Sequence, residues 1–489
     1  MTRTATRYET VIGVEVHAQL LTRSKMFCSC SQPTLESPPN THVDPTCLGM
    51  PGAMPVINRL AVELTILSGL ALNCEIAAEA KFDRKNYHYP DLMKGYQISE
   101  YDMPICTNGW LDIEVDGQTK RIGITRVHLE EDTARLQHAK DPSTGEQYSL
   151  VDVNRSGVPL MEVVSEPDIR SAEEARAYLQ ALRRILRYIG ASQANMDEGN
   201  MRCEPNVSIR EPGAEFGQRV ELKNINSFKH AFDAIKFEER RQAEVLDSGG
   251  TVAQETRGWR EDIGKAVPQR TKEFAEDYRY FPEPDLPPLL ISREWVEEIR
   301  ARLPELPDAK RARFQEQYSL TAYDAQVLSE STARADFFEA ATAGGSAERA
   351  KAVSNWITGD FARLLNAENA EIQNARVTPE SLAALIDLQE AGTISGKTAK
   401  AVFEEMFALG KAPGEIVKEK GLEQITSSDE VVTSVEKVIA DNAKAVEDYR
   451  GGKEEAIKFL VGQVMRETRG RASPDVITEL LKEKLAEKP

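Results

Sequence analysis

The sequence predicts an α+β protein: an N-terminal domain built on antiparallel sheet with covering helices, then an all-α helical domain and a small all-α tail. Two periodicities carry that expectation, and a third observation divides the chain. Up to about residue 293, runs such as ETVIGVEVHAQL, WLDIEVDG, KRIGITRVHLE, NVSIR and RVELKN place apolar residues at every second position, the period of a half-buried strand. After Ser292, REWVEEIRARL, AERAKAVSNWITGDFARLLNA, PESLAALIDLQEAG and GKTAKAVFEEMFALG change to three-and-four spacing with glycine or proline punctuation, the period of an amphipathic helix. Between the two, DYRYFPEPDLPPLLIS carries four prolines, residues that interrupt both ladder and helix, and this marks a domain exit.

Taken in order, the strand-like part contains one strong helix. Ser171 and Glu174 have capping-box spacing, Ala175, Tyr178, Leu179, Leu182, Ile185, Leu186 and Ile189 repeat at helical spacing, and Gly190 ends the run. Such a helix covers a sheet face. The helical part breaks near LGKAPGEIV, so the expected domains are residues 1–293, 294–405 and 406–489.

At 489 residues with 41% hydrophobic content, the chain is long enough for about three globular domains. Its 79 acids against 61 bases give a net charge of −18, which repels a phosphate polymer at long range, so any nucleic-acid contact must be local. The last stretch differs: from Gly396 onward 16 bases face 18 acids. There Lys458, Arg466, Arg469 and Arg471 gather around a helix end, which reads either as a solvated terminus suiting its dipole or as a phosphate-contact surface. Six cysteines form no disulfide framework, and MTRTATRYETVIG lacks the apolar segment of a secretory signal. The expected compartment is the cytoplasm, with no membrane association.

Three strands carry polar residues suited to a metal. In IGVEVHAQ, Glu15 and His17 project from the face opposite Ile12, Val14 and Val16. In RVHLEED, His128 and Glu130 alternate with Val127 and Leu129, and Glu131 and Asp132 follow; VELKNINS offers Glu221 with Lys223 and Asn224. Acids on the open face of an antiparallel sheet are usually only solvated, and three such strands together carry more weight than any one. Oxygen-rich sets favour a hard ion such as Mg²⁺, with the imidazole also suiting Mn²⁺. Bases able to meet the phosphates that accompany such ions are Lys81, Arg84 and Lys85 in KFDRKNYHYPD, together with Arg155, Lys223 and Arg279. Neither GxxxxGK[ST] nor a strand-linked GxGxxG is present. Cys28, Cys30 and Cys47, with His42 and Asp44 between, are candidates for a structural Zn²⁺ knuckle or for buried free thiols.

The stretches ETVIGVEVHAQL, KFDRKNYHYPDLMKGYQISEYD, RVHLEEDTARLQH, SLVDVNRSGVPLMEVVSEPDI, VELKNINSFKH and DYRYFPEPD together resemble the B subunit of the bacterial aspartyl/glutamyl-tRNA amidotransferase, nearly end to end and including a YqeY-like tail. The resemblance implies that the N-terminal domain is a catalytic cradle, and that the chain acts in a heterotrimer with an amidase-type A subunit, which acts as glutaminase, and a small C subunit. It implies that ATP phosphorylates the side-chain carboxylate of mischarged Glu-tRNA(Gln) or Asp-tRNA(Asn), and that delivered ammonia then displaces phosphate. Carried over by position, Glu15, His17, one or both of Glu130 and Glu131, and Glu221 are the expected metal ligands. Lys81, Arg84, Lys85 and Glu130 are the expected catalytic groups. Arg84, Lys85, Asn86, Tyr87, Lys223 and Asn224 are expected to bind the nucleotide and acceptor end, and Lys458, Arg466, Arg469 and Arg471 to contact tRNA. One departure concerns zinc: relatives with the metal resemble a CxC…CPxC pattern, but HVDPTC has Asp44 in place of a cysteine, which points to a lost or weakly held ion. The different-class alternative is a tRNA-binding adaptor whose cradle is inactive; the intact acidic set favours the enzyme.

Overall fold

The computed structural model describes residues 7–34, 36–271, 278–424, 428–453, 455–468, 472 and 474–486. It divides into two compact units, Met1–Leu306 and Pro307–Pro489. The architecture is α+β, as the two periodicities predict.

In chain order the first unit runs β1 (Glu9–Gln19), α1 (Arg59–Ala71), β2 (Glu75–Ile76), β3 (Glu79–Ala80), β4 (Asp83–Asn86), β5 (Tyr96–Ser99), β6 (Cys106–Val115), β7 (Gln118–Glu131), β8 (Arg135–Lys140) and β9 (Gln147–Asp152). It continues through β10 (Pro159–Ser165), α2 (Ala172–Tyr188), β11 (Met201–Arg210), β12 (Val220–Lys223), α3 (Phe228–Asp247), β13 (Glu255–Arg260), β14 (Lys265–Thr271), β15 (Phe281–Pro282), β16 (Leu289–Leu290) and α4 (Arg293–Arg300). Twelve strands form one sheet with β1 near its middle, in the order β14-β13-β12-β11-β1-β10-β7-β5-β4-β15, and β6 joins β7 to β2. All its pairings are antiparallel except β12 with β13. That exception corrects a purely antiparallel reading, and α3 supplies the crossover that parallel neighbours require.

Alternation along β1 separates two chemistries. Ile12, Val14, Val16 and Ala18 are fully buried in the core, in one cluster with Tyr178, Leu179, Leu182 and Leu186 of α2. Burying each such aliphatic side chain contributes roughly 1.5–3 kcal/mol. Helix α2 starts at Ser171, whose hydroxyl accepts from Glu174 N at 3.1 Å, and Gly190 beyond its end takes φ +67°, the left-handed conformation that favours glycine. Glu174 does not close the reciprocal half of the capping box: its Oε2 accepts from Arg170 N and Lys120 Nζ, both at 2.7 Å.

The proline-rich segment is part of the first unit. Phe281 and Pro282 pair with Arg84 and Asp83, and Leu289 and Leu290 pair with Ala80 and Glu79, so short ladders form in the gaps between prolines. The unit runs past residue 293 to Leu306 because α4 sends Ile299 into the first core.

The second unit holds α5 (Pro307–Tyr318), α6 (Ala322–Leu328), α7 (Thr332–Thr342), α8 (Ala347–Trp356), a π-helical turn (Ile357–Phe361), α9 (Ala362–Glu368), α10 (Pro379–Glu390), α11 (Gly396–Leu409) and α12 (Pro413–Lys420). Their core runs from Phe314 to Val417. A separate cluster, Val431 to Leu485, is built by α13 (Ser428–Asp441), α14 (Ala443–Arg450), α15 (Glu455–Glu467) and α16 (Pro474–Ala486). Residue 406 lies inside α11, and Met406 and Phe407 are buried with the earlier helices; the change of core falls between Leu422 and Val431.

Candidate metal centre on the polar sheet face

The register of five neighbouring strands gathers polar residues on the face of β1 opposite its core residues. Glu15 lies opposite Glu204 of β11, and His17 lies opposite Glu162 of β10 and Arg202 of β11. Glu162 in turn lies opposite His128 of β7, Leu160 opposite Glu130, and Asn206 of β11 opposite Glu221 of β12. Because side chains alternate along a strand, these pairings set two triads side by side. His17, Glu130 and Glu162 bring their ligand atoms within 4.8 Å of one another, and so do Glu15, Glu204 and Glu221.

In the first triad, His17 Nε2 is 3.5 Å from Glu130 Oε1 and 3.5 Å from Glu162 Oε2. Burial pulls the His17 imidazolium down, but Glu162 and Glu130 outweigh it and raise the group to about 9. Burial likewise pushes the Glu162 carboxyl up, and His128 and His17 together bring it well below the ordinary range. In the second triad, burial followed by Glu162, Glu204 and Glu221 raises the Glu15 carboxyl. Lys223 Nζ, 2.7 Å from Glu204 and 3.6 Å from Glu221, overcomes burial with His17 to hold Glu204 down at about 2. Asn206 Nδ2 donates to Glu15 Oε1 at 3.1 Å, and Thr256 Oγ1 to Glu221 Oε2 at 2.8 Å. Crowded carboxylates whose mutual repulsion raises one of their number suit a divalent cation. One triad offers nitrogen and two oxygens, the other three oxygens, a fit to Mg²⁺ or Mn²⁺.

Glu162 and Glu204 are not among the residues that the sequence singles out. Glu162 sits in PLMEVVS between buried neighbours, and Glu204 follows Cys203 and precedes Pro205, so neither strand reads as a polar stripe. Their signal is parity alone: Arg202, Glu204 and Asn206 alternate. Glu131 takes the opposite face from Glu130. It pairs with Lys94, and its Oε1 accepts from Ile98 N at 3.0 Å; both side chains line a cavity of about 200 Å³ with Cys47, Gly49, Tyr96 and Gly157.

The basic stretch divides in the same way. Lys81 Nζ is held by Asp102 at 2.8 Å and Asp83 at 3.1 Å. Arg84 grips Glu283 through two hydrogen bonds of 2.7 Å and lies over Tyr96 at 4.3 Å. Asn86 Nδ2 donates to Arg279 O at 2.9 Å, tying β4 to the segment before β15. Lys85 differs. Its ammonium lies over the Tyr278 ring at 5.0 Å, and burial, which would lower it, is outweighed by Tyr280, Glu130 and Glu162, which raise it. Tyr87 packs edge-on against Tyr278 at 6.0 Å. Asn224 follows β12 with φ +63°.

Cys28, Cys30, Asp44 and Cys47 form a third cluster within the same 4.8 Å limit. Asp44 Oδ1 accepts from Cys47 N at 3.0 Å, while His42 turns to Ser31 Oγ at 2.9 Å, so the aspartate and not the histidine stands with the thiols. A hydrogen bond from Cys28, with further help from Asp44 N–H and the buried Lys25 ammonium 3.6 Å away, lowers the Cys47 thiol to about 6. In the tail, Lys458 and Arg466 are exposed on α15; Arg469 and Arg471 lie outside the described residues. Among the described residues no helix is long and apolar enough to cross a membrane.

Comparison with known proteins agrees along the whole chain. Residues 10–297 match the model of a GatB/GatE catalytic domain, and residues 336–485 match that of a GatB domain. The chain is similar to proteins named as the B subunit of an aspartyl/glutamyl-tRNA(Asn/Gln) amidotransferase. The protein of Carboxydothermus hydrogenoformans is 56% identical, over 98% of this chain and 99% of the relative. That of Dehalococcoides mccartyi strain 195 is 54% identical over 99% and 100%, and that of Moorella thermoacetica 55% identical over 98% and 100%. Matched from end to end at more than half of its positions, this chain belongs to the family of amidotransferase B subunits.

Proposed function

We propose that this chain carries the kinase and transamidase centre of an amidotransferase acting on Glu-tRNA(Gln), Asp-tRNA(Asn) or both, on the polar face of its sheet. The observation that carries the reading is the pair of acidic triads, His17–Glu130–Glu162 and Glu15–Glu204–Glu221, lying together with Lys85 beside them. The relatives' name supplies the substrate class and, being the name of one subunit among several, the need for partners. Those partners are an amidase-type A subunit and a small C subunit.

An unactivated carboxylate does not accept ammonia, so the side-chain carboxylate of the tRNA-bound amino acid first attacks the γ-phosphorus of ATP. This gives an acyl phosphate and releases ADP. Ammonia from the partner then adds at the acyl carbon, phosphate leaves with the C–O bond, and the amide remains after loss of a proton. Divalent ions held by the two triads would neutralise charge on the polyphosphate during the first step. Lys85, among the described residues without an ion pair of its own, adds a cation beside the transferring phosphoryl group. Lys81 and Arg84 are already engaged by Asp102, Asp83 and Glu283, and they shape the strand that presents Lys85. Tyr87 and Tyr278 form a wall beside it. Lys223 offsets the excess charge of Glu204 and Glu221. The Cys28–Cys30–Asp44–Cys47 set is a structural site for weakly held Zn²⁺, outside the reaction.

The test is reconstitution with partner subunits, the amidase inactivated and ammonium chloride supplied. Amide formation on Glu-tRNA(Gln) or Asp-tRNA(Asn) should persist, require ATP and Mg²⁺, and fall by roughly 100-fold or more in Glu15→Gln, with tRNA affinity near wild type. Full activity in Glu15→Gln would sink the assignment, and a reaction that still needs the amidase active would sink the division of labour.

A further inference from the structure

A second buried histidine stands behind the first triad. His128 Nε2 lies 3.2 Å from Glu162 Oε2, the same oxygen that His17 approaches at 3.5 Å. On the other side of the ring, Arg126 Nε donates to His128 Nδ1 at 3.3 Å. A guanidinium can only donate, so Nδ1 is the acceptor nitrogen and the ring proton sits on Nε2, directed at Glu162. Both ring nitrogens are therefore spoken for, and His128 has no lone pair to offer an ion. The ring is buried at 3% exposure, while Arg126 is half-buried. The register explains the arrangement: His128 faces Glu162 directly across the β7–β10 ladder, and Arg126 lies on the same face of β7, two residues away.

We propose that His128, its tautomer locked by Arg126, is a positioning residue that holds the Glu162 carboxylate in the orientation required to ligate a divalent cation with His17 and Glu130. The inference rests on the metal reading of the triad and adds to it an outer partner for one ligand. Outer hydrogen-bond partners of this kind typically change metal affinity 10–100-fold when removed.

The experiment is Mn²⁺ titration of the full chain, followed by paramagnetic resonance of free Mn²⁺, for wild type, His128→Ala, His128→Gln and Arg126→Met. Thermal unfolding in chelator monitors the fold of each. Wild type binds Mn²⁺ saturably. His128→Ala weakens binding roughly 10–100-fold. His128→Gln, which keeps an N–H donor near the Nε2 position, recovers most of the loss. Arg126→Met, which leaves the buried ring in place but frees its tautomer, weakens binding to a smaller extent. Saturable wild-type binding that is unchanged in both His128→Ala and Arg126→Met would overturn this inference alone, as would a His128→Gln variant no better than the alanine. Absence of saturable binding in wild type would overturn the metal reading itself and this inference with it. If His128→Ala fails to fold, the comparison of His128→Gln and Arg126→Met with wild type decides the question.

Discussion

If His17 ligates an ion, as proposed, it couples metal binding to pH. Without an ion its imidazolium titrates near 9, above the 6.5 of a free histidine, because Glu162 and Glu130 outweigh burial. At pH 7 the ring is protonated, and an ion that takes Nε2 must displace that proton. Mn²⁺ affinity should therefore climb with pH, by up to about tenfold per unit, and level off above 9; a titration flat from pH 6.5 to 9.5 would show that His17 is not a ligand. Glu100 gives the opposite kind of prediction, on stability. It is 2% exposed, and its Oε2 accepts from Ile105 N and Leu129 N at 3.2 Å. Oε1 is buried without a partner among the described residues. Burial raises the carboxyl from 4.5 to about 8 against the pull of those two N–H groups. Between those values the folded chain binds the extra proton, so Glu100 costs stability progressively as pH rises from about 4.5 to 8. Glu100→Gln keeps a carbonyl for both N–H donors and carries no charge. It should unfold close to wild type at pH 5 and at higher temperature at pH 9, the gain bounded by roughly 4 kcal/mol; equal midpoints at pH 9 would contradict the buried-acid account.

Elements differ in how much of them could be read in advance, and the loop holding Asp44 gives the sharpest test. With three thiols and one carboxylate, the cluster is a poorer soft-ligand set than four cysteines. The wild-type chain should lose zinc to chelator dialysis, whereas Asp44→Cys should retain it near one equivalent by elemental analysis; equal retention would mean that Asp44 does not limit the site. Strand β1 was legible because its two faces differ at every step, Ile12, Val14 and Val16 against Glu15 and His17. Helix α2 was legible because one face is continuously apolar. Helix α3 was not, since its buried face carries Glu238 and Gln242, which are satisfied by Arg241 and Val207 O and break the apolar period. Helix α1 hid for the opposite reason: RLAVELTILSGLA is apolar nearly all round, with ten buried residues, and shows no stripe. Glu162 and Glu204 became visible only through strand pairing, because a one-residue change of register would place either on the other face. The same parity separates Glu130 from Glu131, neighbours in sequence that face opposite sides of the sheet.

At the scale of the whole chain, three buried clusters that share no residue set where it can be cut. The first spans Ile12 to Ile299, the second Phe314 to Val417 and the third Val431 to Leu485. Ending the chain at residue 405 would strip Met406, Phe407, Ile416 and Val417 from the second cluster, a loss of several kcal/mol at about 1.5–3 kcal/mol per buried side chain. Any fall in tRNA affinity from that cut would mix unfolding with lost contact. Ending it after Gln424 keeps Leu422 against the second cluster and the Gln424 N to Thr393 O hydrogen bond of 2.7 Å, and removes the third cluster entire. The excised part carries Lys458 and Arg466 exposed on α15. If phosphate contacts from this tail hold the tRNA body, the chain ending at Gln424 should bind tRNA more weakly, and its binding should depend less steeply on salt. Mn²⁺ affinity and thermal stability of the remaining cores should stay near wild type. Filter-binding titrations at several salt concentrations, run beside Mn²⁺ titrations on the same preparation, separate the outcomes. An unchanged salt slope would place the tRNA contact elsewhere, whereas a parallel loss of Mn²⁺ binding would mean that the tail supports the first unit and does not act as an independent arm.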